Sequence, residues 1–476
     1  MREKRIEAET FPRPRPAALL AGGLLGLLVS AAPVTAAEIT DVIDAADGDD
    51  PFDMRIEVDY RRSLRRAKIT REFNCQPSTT PEHIETCPEA PPEGELLHVK
   101  ELRYERVTHE VVPTVRIGLW HDLELKVEIP IVANDEQTLR FAGNGGDPDS
   151  IAITPAESTI APADREHLFD VPPDLPKRAG FGDMLFMIRY SPFAQERDDL
   201  RATWTLELGY RAPTGDVMKY NNEAVGRGVH ELIVATALSH RFEFAEPYAR
   251  FDAVFPFASQ NALFKDYGDG QQHVGPGART GFLAGAELVP YDDPKRGVKF
   301  FIDVGLGAEY QAEGRDYSEL FDALGGASVG RAPEDACAIG TPYSEAAPNC
   351  PRYNPDSRSR IADTPIDGLT TVEEHITFKG KLGFGMYLSR FAKIGVTLQL
   401  DHDTEHYLSN ADVGRDLDGS GLVEARGAVP NADGIGGYDP EEHNPTYIPA
   451  IDAVGRRIRV EETTVFHLGA NLSLVF

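Results

Sequence analysis

Three residues near the end of the chain match a zinc-peptidase pattern. His402, Glu405 and His406 form His-x-x-Glu-His, in which a helix presents two histidines to zinc beside a catalytic glutamate. Here the motif ends a segment of alternating polar and apolar residues, which is typical of a β-strand. A strand would point Glu405 away from both histidines, because successive side chains alternate between its faces. We therefore interpret the match as coincidental.

An acidic segment nearby resembles the beginning of a calcium-binding loop. Asp416, Asp418 and Ser420 supply oxygen atoms at its first, third and fifth positions, and Gly421 takes the sixth. The twelfth position is Gly427, where such a loop needs a glutamate. The segment therefore predicts a polar loop, in which these three oxygen-bearing residues are a weak calcium-site candidate. We expect no metal and no other cofactor.

The four cysteines form two pairs that are close in sequence, Cys75 with Cys87 and Cys337 with Cys350. Neither spacing is that of a zinc site, and no pair of histidines stands near enough to complete one. In an exported protein, two local disulfides are the simplest of the three possible pairings. We expect both disulfides to be structural.

Residues 1–37 have the three parts of a secretory signal peptide. Five basic residues precede an apolar run over residues 17–30, and small residues follow it. A membrane-anchoring helix is the alternative, but glycines interrupt the run, and a proline and alanines follow it. We predict export and cleavage near Ala36 or Ala37, followed by an acidic N-terminal arm over residues 38–51.

After the arm, polar and apolar residues alternate, as along Trp204 to Tyr210 and Ile394 to Leu400. In a barrel that crosses a membrane, the apolar face of each strand meets lipid and the polar face lines the lumen. The alternation thus predicts a set of charged side chains inside the barrel. These lumen-facing candidates are Arg55, Glu57, Asp59, Arg116, Glu124, Lys126, Glu128, Glu207, Arg211, Arg250, Asp252, Asp303, Glu309, Arg459 and Glu461.

The last segment, residues 466–476, keeps this alternation up to a terminal phenylalanine, Phe476. It resembles the C-terminal signature of bacterial outer-membrane barrels. The alternative is an edge strand of a soluble β-sandwich, which the signal peptide disfavours. We expect Phe476 to be the assembly signal for the barrel-assembly machinery, and outer-membrane lipids to surround the protein.

Counting back from Phe476 gives about twelve strands, joined alternately by short turns and long external loops. The fold class is all-β, with a single antiparallel transmembrane β-barrel over residues 52–476. The first two strands are longer than the 9–11 residues needed to cross a membrane. Either they project as a ribbon, or each splits in two and the barrel has fourteen strands. The predicted strands are 52–73, 97–119, 122–133, 182–191, 201–212, 229–242, 246–257, 278–289, 297–312, 371–389, 392–406 and 457–476.

The charge balance excludes two classes of protein. Asp and Glu outnumber Lys and Arg by 77 to 48, for a formal net charge of −29. Such a chain repels phosphate backbones, so we expect no nucleic-acid partner. A mean hydropathy of −0.32 excludes a polytopic helical membrane protein. Most of the acidic excess lies in the predicted external loops and the N-terminal arm, and should disfavour anions at the external mouth.

Three segments resemble a known family: RIGLWHDLEL at 116–125, GFGD at 180–183 and LELGYRAPTGD at 206–216. Their order is similar to that in the outer-membrane proteins grouped as the family of the meta pathway of phenol degradation. The resemblance is clearest over residues 116–260, and it implies a barrel that transports apolar small molecules. Taken alone, the glycines and the proline of these segments are turn residues at strand ends.

Together these features predict an outer-membrane channel or transporter for small, apolar or aromatic molecules. The solute would diffuse through the porin-like lumen, past long loops, without covalent chemistry, so we expect no enzyme. The alternative is a structural or surface-interaction barrel with a filled lumen and disulfide-tied loops.

Overall fold

The structure is a computed structural model that describes residues 37–43, 53–74, 96–142, 175–198, 200–293, 295–325, 367–389, 391–417, 419, 421, 423 and 442–476. Within these residues almost all regular structure is β-strand. Two short helices are present, α1 (Phe321–Gly325) and α2 (Pro449–Asp452). Neither is long and apolar enough to cross a membrane.

The described part of the chain forms seventeen strands. They are β1 (Met54–Asn74), β2 (Leu96–Trp120), β3 (Leu123–Glu128), β4 (Ile131–Phe141), β5 (Arg178–Phe181), β6 (Leu185–Phe193), β7 (Thr203–Arg211), β8 (Val229–Ser239), β9 (Ala245–Ala258), β10 (Arg279–Asp293), β11 (Val298–Gln311), β12 (Gly314–Asp316), β13 (Thr370–Val372), β14 (His375–Ser389), β15 (Ala392–Asp403), β16 (His406–Tyr407) and β17 (Ile458–Val475).

All of these strands except β12 and β13, which pair only with each other, belong to a closed barrel with twelve positions around its wall. Neighbours pair antiparallel, and β1 closes the ring because it pairs with β2 on one side and with β17 on the other. β3 and β4 share one position, since both pair with β2, and β5 and β6 share the next. The predicted twelve-stranded antiparallel barrel is confirmed, and the fourteen-stranded alternative is wrong.

The outside of the barrel is apolar and its inside is polar. Along β7, Leu208 is 53% exposed, whereas its neighbour Glu207 is 4% exposed and faces inward. Trp204 and Tyr210 mark two aromatic levels on the outer face of this strand, about 20 Å apart at the usual rise per residue. Water would not favour such an exterior, but a lipid bilayer does. The barrel therefore spans a membrane.

We call the end with the short turns the inner end and the other the outer end. At the outer end β1 and β2 stay paired up to Asn74 and Leu96. They do not stand alone as a ribbon, because β4 pairs with the outer half of β2, and β17 follows β1 up to Arg71. The predicted strands 122–133 and 182–191 leave residues 134–181 between them as a loop, and this loop is too long at both ends: β4 continues to Phe141, and residues 178–181 form β5.

Apolar side chains fill part of the outer end, where α1 and α2 pack against the long strands. Each leucine, isoleucine or valine among them contributes roughly 1.5–3 kcal/mol when it is fully buried. The chain's own segments therefore cover the outer mouth in a stable way. This outer core consists of Ala67, Ile69, Leu102, Tyr104, Leu139, Leu320, Ala323, Leu324, Leu408, Ile448, Ile451, Ile458 and Val460.

Candidate translocation path

A cavity of about 520 Å³ lies inside the barrel, between the inner end and the outer core. We call it the inner cavity. Charged side chains of both signs line it, and most come from inward positions of the alternating strands. Eleven of the fifteen lumen-facing candidates are among them: Arg55, Glu57, Asp59, Arg116, Lys126, Glu128, Glu207, Arg211, Arg250, Asp252 and Asp303.

The other four candidates lie elsewhere. Glu124 is completely buried behind the cavity wall, and Glu309 lines a second cavity nearer the outer end, beside Lys379 at 2.8 Å. Arg459 and Glu461 pair with each other at the outer end of β17 and line neither cavity. They alternate there with Ile458 and Val460, whose side chains belong to the outer core.

A local irregularity explains the position of Arg459 and Glu461. The backbone of Glu462 is left-handed, with φ of 50°, and the pairing of β17 with β1 shifts between Arg66 and Lys68. Such a bulge puts residues on either side of it out of phase. When alternation is counted back from Phe476 without allowing for the bulge, residues at the outer end of β17 are assigned to the wrong face. The prediction that Arg459 and Glu461 face the lumen is therefore wrong.

Residues 37–43, which we call the luminal segment, lie inside the barrel at its inner end. Asp41 forms an ion pair with Arg55, and its backbone oxygen accepts hydrogen bonds from Arg116 (2.5 Å) and Arg189 (2.7 Å). The hydroxyl of Thr40 lies 2.7 Å from that of Ser239. The segment is thus held by four different strands and occupies part of the lumen.

The arginines that hold the luminal segment are themselves paired with glutamates of the wall. Glu124 accepts hydrogen bonds from Arg116 at 2.8 and 2.7 Å and lies 3.3 Å from Arg189. Arg189 also donates to Glu207 at 2.9 Å, and Arg250 lies 2.5 Å from the same carboxylate. This network neutralises charges that would be costly to bury singly.

One side of the inner cavity is apolar. Leu185, Met187 and Ile233 pack together on the inward faces of β6 and β8, with Val254 of β9 against them. All four line the inner cavity, and Gly209 of β7 lies among them. The Cβ of a side chain at Gly209 would lie 3.0 Å from the terminal methyl carbon of Met187, so the close packing of this apolar patch requires a glycine here.

The second cavity, of about 350 Å³, lies nearer the outer end. We call it the outer cavity. Arg65 crosses it and pairs with Glu319, which precedes α1, at 2.6 Å, and with Asp403 of β15 at 3.0 Å. His375 and His406 stack on one side of it, with ring centroids 3.8 Å apart. Burial, together with the neighbouring His375, lowers the pKa of His406 to about 4.

The metal-like motifs of the sequence do not converge in the described residues. Asp416 accepts backbone hydrogen bonds from Gly419 (2.6 Å) and Gly421 (2.8 Å), which is the geometry of a turn. Asp418 and Ser420, the other members of the calcium candidate, lie outside the described residues. So do Cys75, Cys87, Cys337 and Cys350. Across the described ranges, no three His, Cys, Asp or Glu side chains are grouped to hold a metal ion.

Alternation alone did not single out several residues that contact the luminal segment. Arg189, Glu246 and Glu287 face inward on β6, β9 and β10, and each hydrogen-bonds to the segment. All three occupy inward-facing positions in the alternation of their strands, so they could have been predicted to face the lumen. Nothing in the sequence indicates that residues 37–43 bind them.

The fold and this interior define the class of protein, a transmembrane β-barrel with a charged and partly occupied lumen. No family model matches the chain, and no curated protein is significantly similar to it. Among solved structures, it is similar to the COG4313 outer membrane channel from Pseudomonas putida F1, at 9% identity and a TM-score of 0.38 over 89% of this chain and 95% of that one.

Two further barrels show the same kind of similarity. A FadL homologue of Pseudomonas aeruginosa is 8% identical, with a TM-score of 0.29 over 89% of this chain and 90% of that one. The outer membrane protease OmpT of Escherichia coli is 6% identical, with a TM-score of 0.27 over 89% and 96%. These similarities are to barrels of different activities and assign no function to this chain.

Proposed function

We propose that this chain is an outer-membrane channel through which small molecules with an apolar or aromatic part diffuse. The observation that carries the proposal is the apolar patch of Leu185, Met187, Ile233 and Val254 within a cavity that many charged side chains line. A lumen that only fills space with paired charges has no need of such a patch. An aromatic ring that rests on the patch gains by leaving water, while its polar groups face the charged wall.

Segments of the chain obstruct the path at both ends. The luminal segment occupies the inner end, and the outer core and α1 cover the outer end. Passage therefore requires these segments to move, and the ion pair of Asp41 with Arg55 must open at the inner end. The same contacts favour a second function, a structural or surface-interaction barrel with a filled lumen. The two functions differ in whether a solute passes through the lumen.

Uptake of phenylalanine and serine into proteoliposomes tests the proposal, because the two zwitterions differ in an aromatic ring and neither crosses lipid readily. We expect phenylalanine to enter faster than serine. Ile233→Ser should reduce this preference roughly tenfold, which corresponds to the loss of one good apolar contact. Val234→Ser changes the next residue, which faces lipid, and should leave the preference intact. If neither amino acid enters above the rate of empty vesicles, the structural barrel is the better description.

Export and assembly form part of the same proposal. The predicted signal peptide leads the chain across the inner membrane, and Phe476 presents the last strand to the barrel-assembly machinery. The backbone of Phe476 pairs with that of Met54, while its side chain is 57% exposed on the outside. Deletion of Phe476 should lower the amount of folded, heat-modifiable barrel in outer membranes. An unchanged amount would remove this role from the terminal residue.

A further inference from the structure

Two buried glutamates face each other at the inner end of the lumen. Glu246 of β9 and Glu287 of β10 are directly opposite in the strand pairing and are 1% and 2% exposed. Like charges in opposite positions repel, and burial increases the cost. Among the described residues no lysine or arginine lies within 4.0 Å of either carboxylate. Lys299 attracts Glu287 from a greater distance, but within the described part of the chain neither carboxylate has a cation in direct contact.

The luminal segment meets this pair with its first two backbone nitrogens. The nitrogen of Ala37 donates to Oε1 of Glu246 at 2.6 Å, and the nitrogen of Glu38 donates to Oε1 of Glu287 at 2.7 Å. The hydroxyl of Ser239 donates to Oε1 of Glu246 as well, at 2.7 Å. The other oxygen of Glu246, Oε2, is buried without any hydrogen-bond partner. The carboxylate that binds the nitrogen of Ala37 thus has an unused acceptor, and Ala37 itself is completely buried.

The sequence places a predicted cleavage site at this same nitrogen. Val34 and Ala36 are the small residues that a signal peptidase requires before the bond it cuts. Hydrolysis of the bond between Ala36 and Ala37 adds water: the carbonyl carbon of Ala36 gains oxygen and leaves as a carboxylate. The nitrogen of Ala37 gains hydrogens and becomes an ammonium group at neutral pH.

We propose that the mature chain begins at Ala37, and that its α-ammonium group is the cation of the Glu246–Glu287 pair. Cleavage turns one N–H donor into three, so the group reaches the unused Oε2 of Glu246 as well as Oε1. A buried ion pair then locks the luminal segment into the barrel. The inference rests on the proposed export and cleavage, but not on what the channel carries.

The reactivity of the α-amine tests this lock. Mature protein would be purified from outer membranes, its first residue identified by N-terminal sequencing, and its amines acetylated with an N-hydroxysuccinimide ester at pH 7. Mass spectrometry of the N-terminal peptide gives the rate for that amine alone. We expect the sequence to begin at Ala37 and its amine to react at least about tenfold more slowly in the folded barrel than in urea, because a buried ion pair must open first.

Matched variants locate the protection. Glu246→Gln should raise the labelling rate of the folded barrel, while Glu243→Gln, in the exposed turn before β9, should not. Heat-modifiable migration on gels verifies that each variant is folded. If Glu246→Gln does not fold, the labelling rates of folded and unfolded wild type still show whether the α-amine is protected. A different first residue, or equal labelling rates in the folded and unfolded protein, would overturn the proposal. None of these measurements depends on solute flux. A negative result would therefore contradict the proposed ion pair of the α-ammonium group without contradicting the channel function.

Discussion

Arg116 of β2 and Glu124 of β3 are diagonal neighbours in the strand pairing, and two parallel hydrogen bonds join the guanidinium group to the carboxylate. Their lengths are 2.8 Å from Nε to Oε1 and 2.7 Å from Nη2 to Oε2. The same arginine holds the backbone oxygen of Asp41, and the same glutamate accepts the backbone N–H of Ile43 at 2.9 Å. One ion pair of the wall therefore fixes both the inner end of the barrel and the luminal segment.

Removal of this carboxylate should strongly destabilise the barrel. Glu124→Ala leaves Arg116 and Arg189 with one partner fewer in a buried site, and we expect a loss of about 3–5 kcal/mol in the free energy of unfolding. Urea unfolding in detergent, followed by heat-modifiable migration, measures it. Glu136→Ala removes an exposed carboxylate that pairs with Lys177, and should cost about 0–1 kcal/mol. Equal effects of the two variants would show that the network is not buried in the folded protein.

A larger side chain at Gly209 should block the apolar patch. The Cβ of a side chain at Gly209 would lie 3.0 Å from Met187 and 3.2 Å from Ile233. Gly209→Leu must therefore displace these side chains, and uptake of phenylalanine into proteoliposomes should fall roughly tenfold. Gly380→Leu is the matched control, because Gly380 sits on the lipid-facing side of β14, opposite Leu306, which is 72% exposed. Similar uptake by Gly209→Leu and wild type would mean that solutes do not pass the patch.

Acid should loosen the outer end through His406. Its pKa is about 4 in the folded barrel against 6.5 for an unperturbed histidine, so the folded state holds the ring neutral. The resulting stability is complete above pH 6.5 and is lost as the pH falls from 6.5 towards 4, because the unfolded chain binds the proton first. At pH 5 the loss is about 2 kcal/mol.

Urea midpoints at pH 7.5 and pH 5 measure this loss. His406→Gln should reduce the difference between the two midpoints, whereas His402→Gln, which changes an exposed ring at the end of β15, should not. If His406→Gln retains the full difference, other groups carry the acid sensitivity.

Much of the barrel could be predicted from residue patterns, because alternation is a local property. Leu208 and Glu207 differ in polarity and lie on opposite faces of β7, so two neighbouring residues define the orientation of a strand. Alternation fails where the local rule is broken. The left-handed Glu462 reverses the phase of the outer end of β17. Asp135 looked like a loop residue, but β4 carries it inward to Arg106, at 2.6 Å.

The luminal segment could not be predicted for a different physical reason. Arg189 donates a hydrogen bond to the backbone oxygen of Asp41, although the two residues are 148 positions apart in sequence. An acidic arm has the same composition whether it pairs with arginines inside a barrel or remains in water. Only the closed barrel, which brings inward positions of many strands together, distinguishes the two. The same is true of the apolar patch, whose members come from three strands.

Single-channel recording in planar bilayers shows whether the luminal segment closes a channel. Asp41→Asn removes the charge that pairs with Arg55, so the luminal segment should leave the inner end more often. We predict rare, small openings for the wild type and more frequent, larger openings for Asp41→Asn. Asp198→Asn, which changes an exposed ion pair with Arg201 in a short inner turn, should behave as the wild type does. No conductance from either the wild type or Asp41→Asn would contradict a channel closed by its own N-terminal segment.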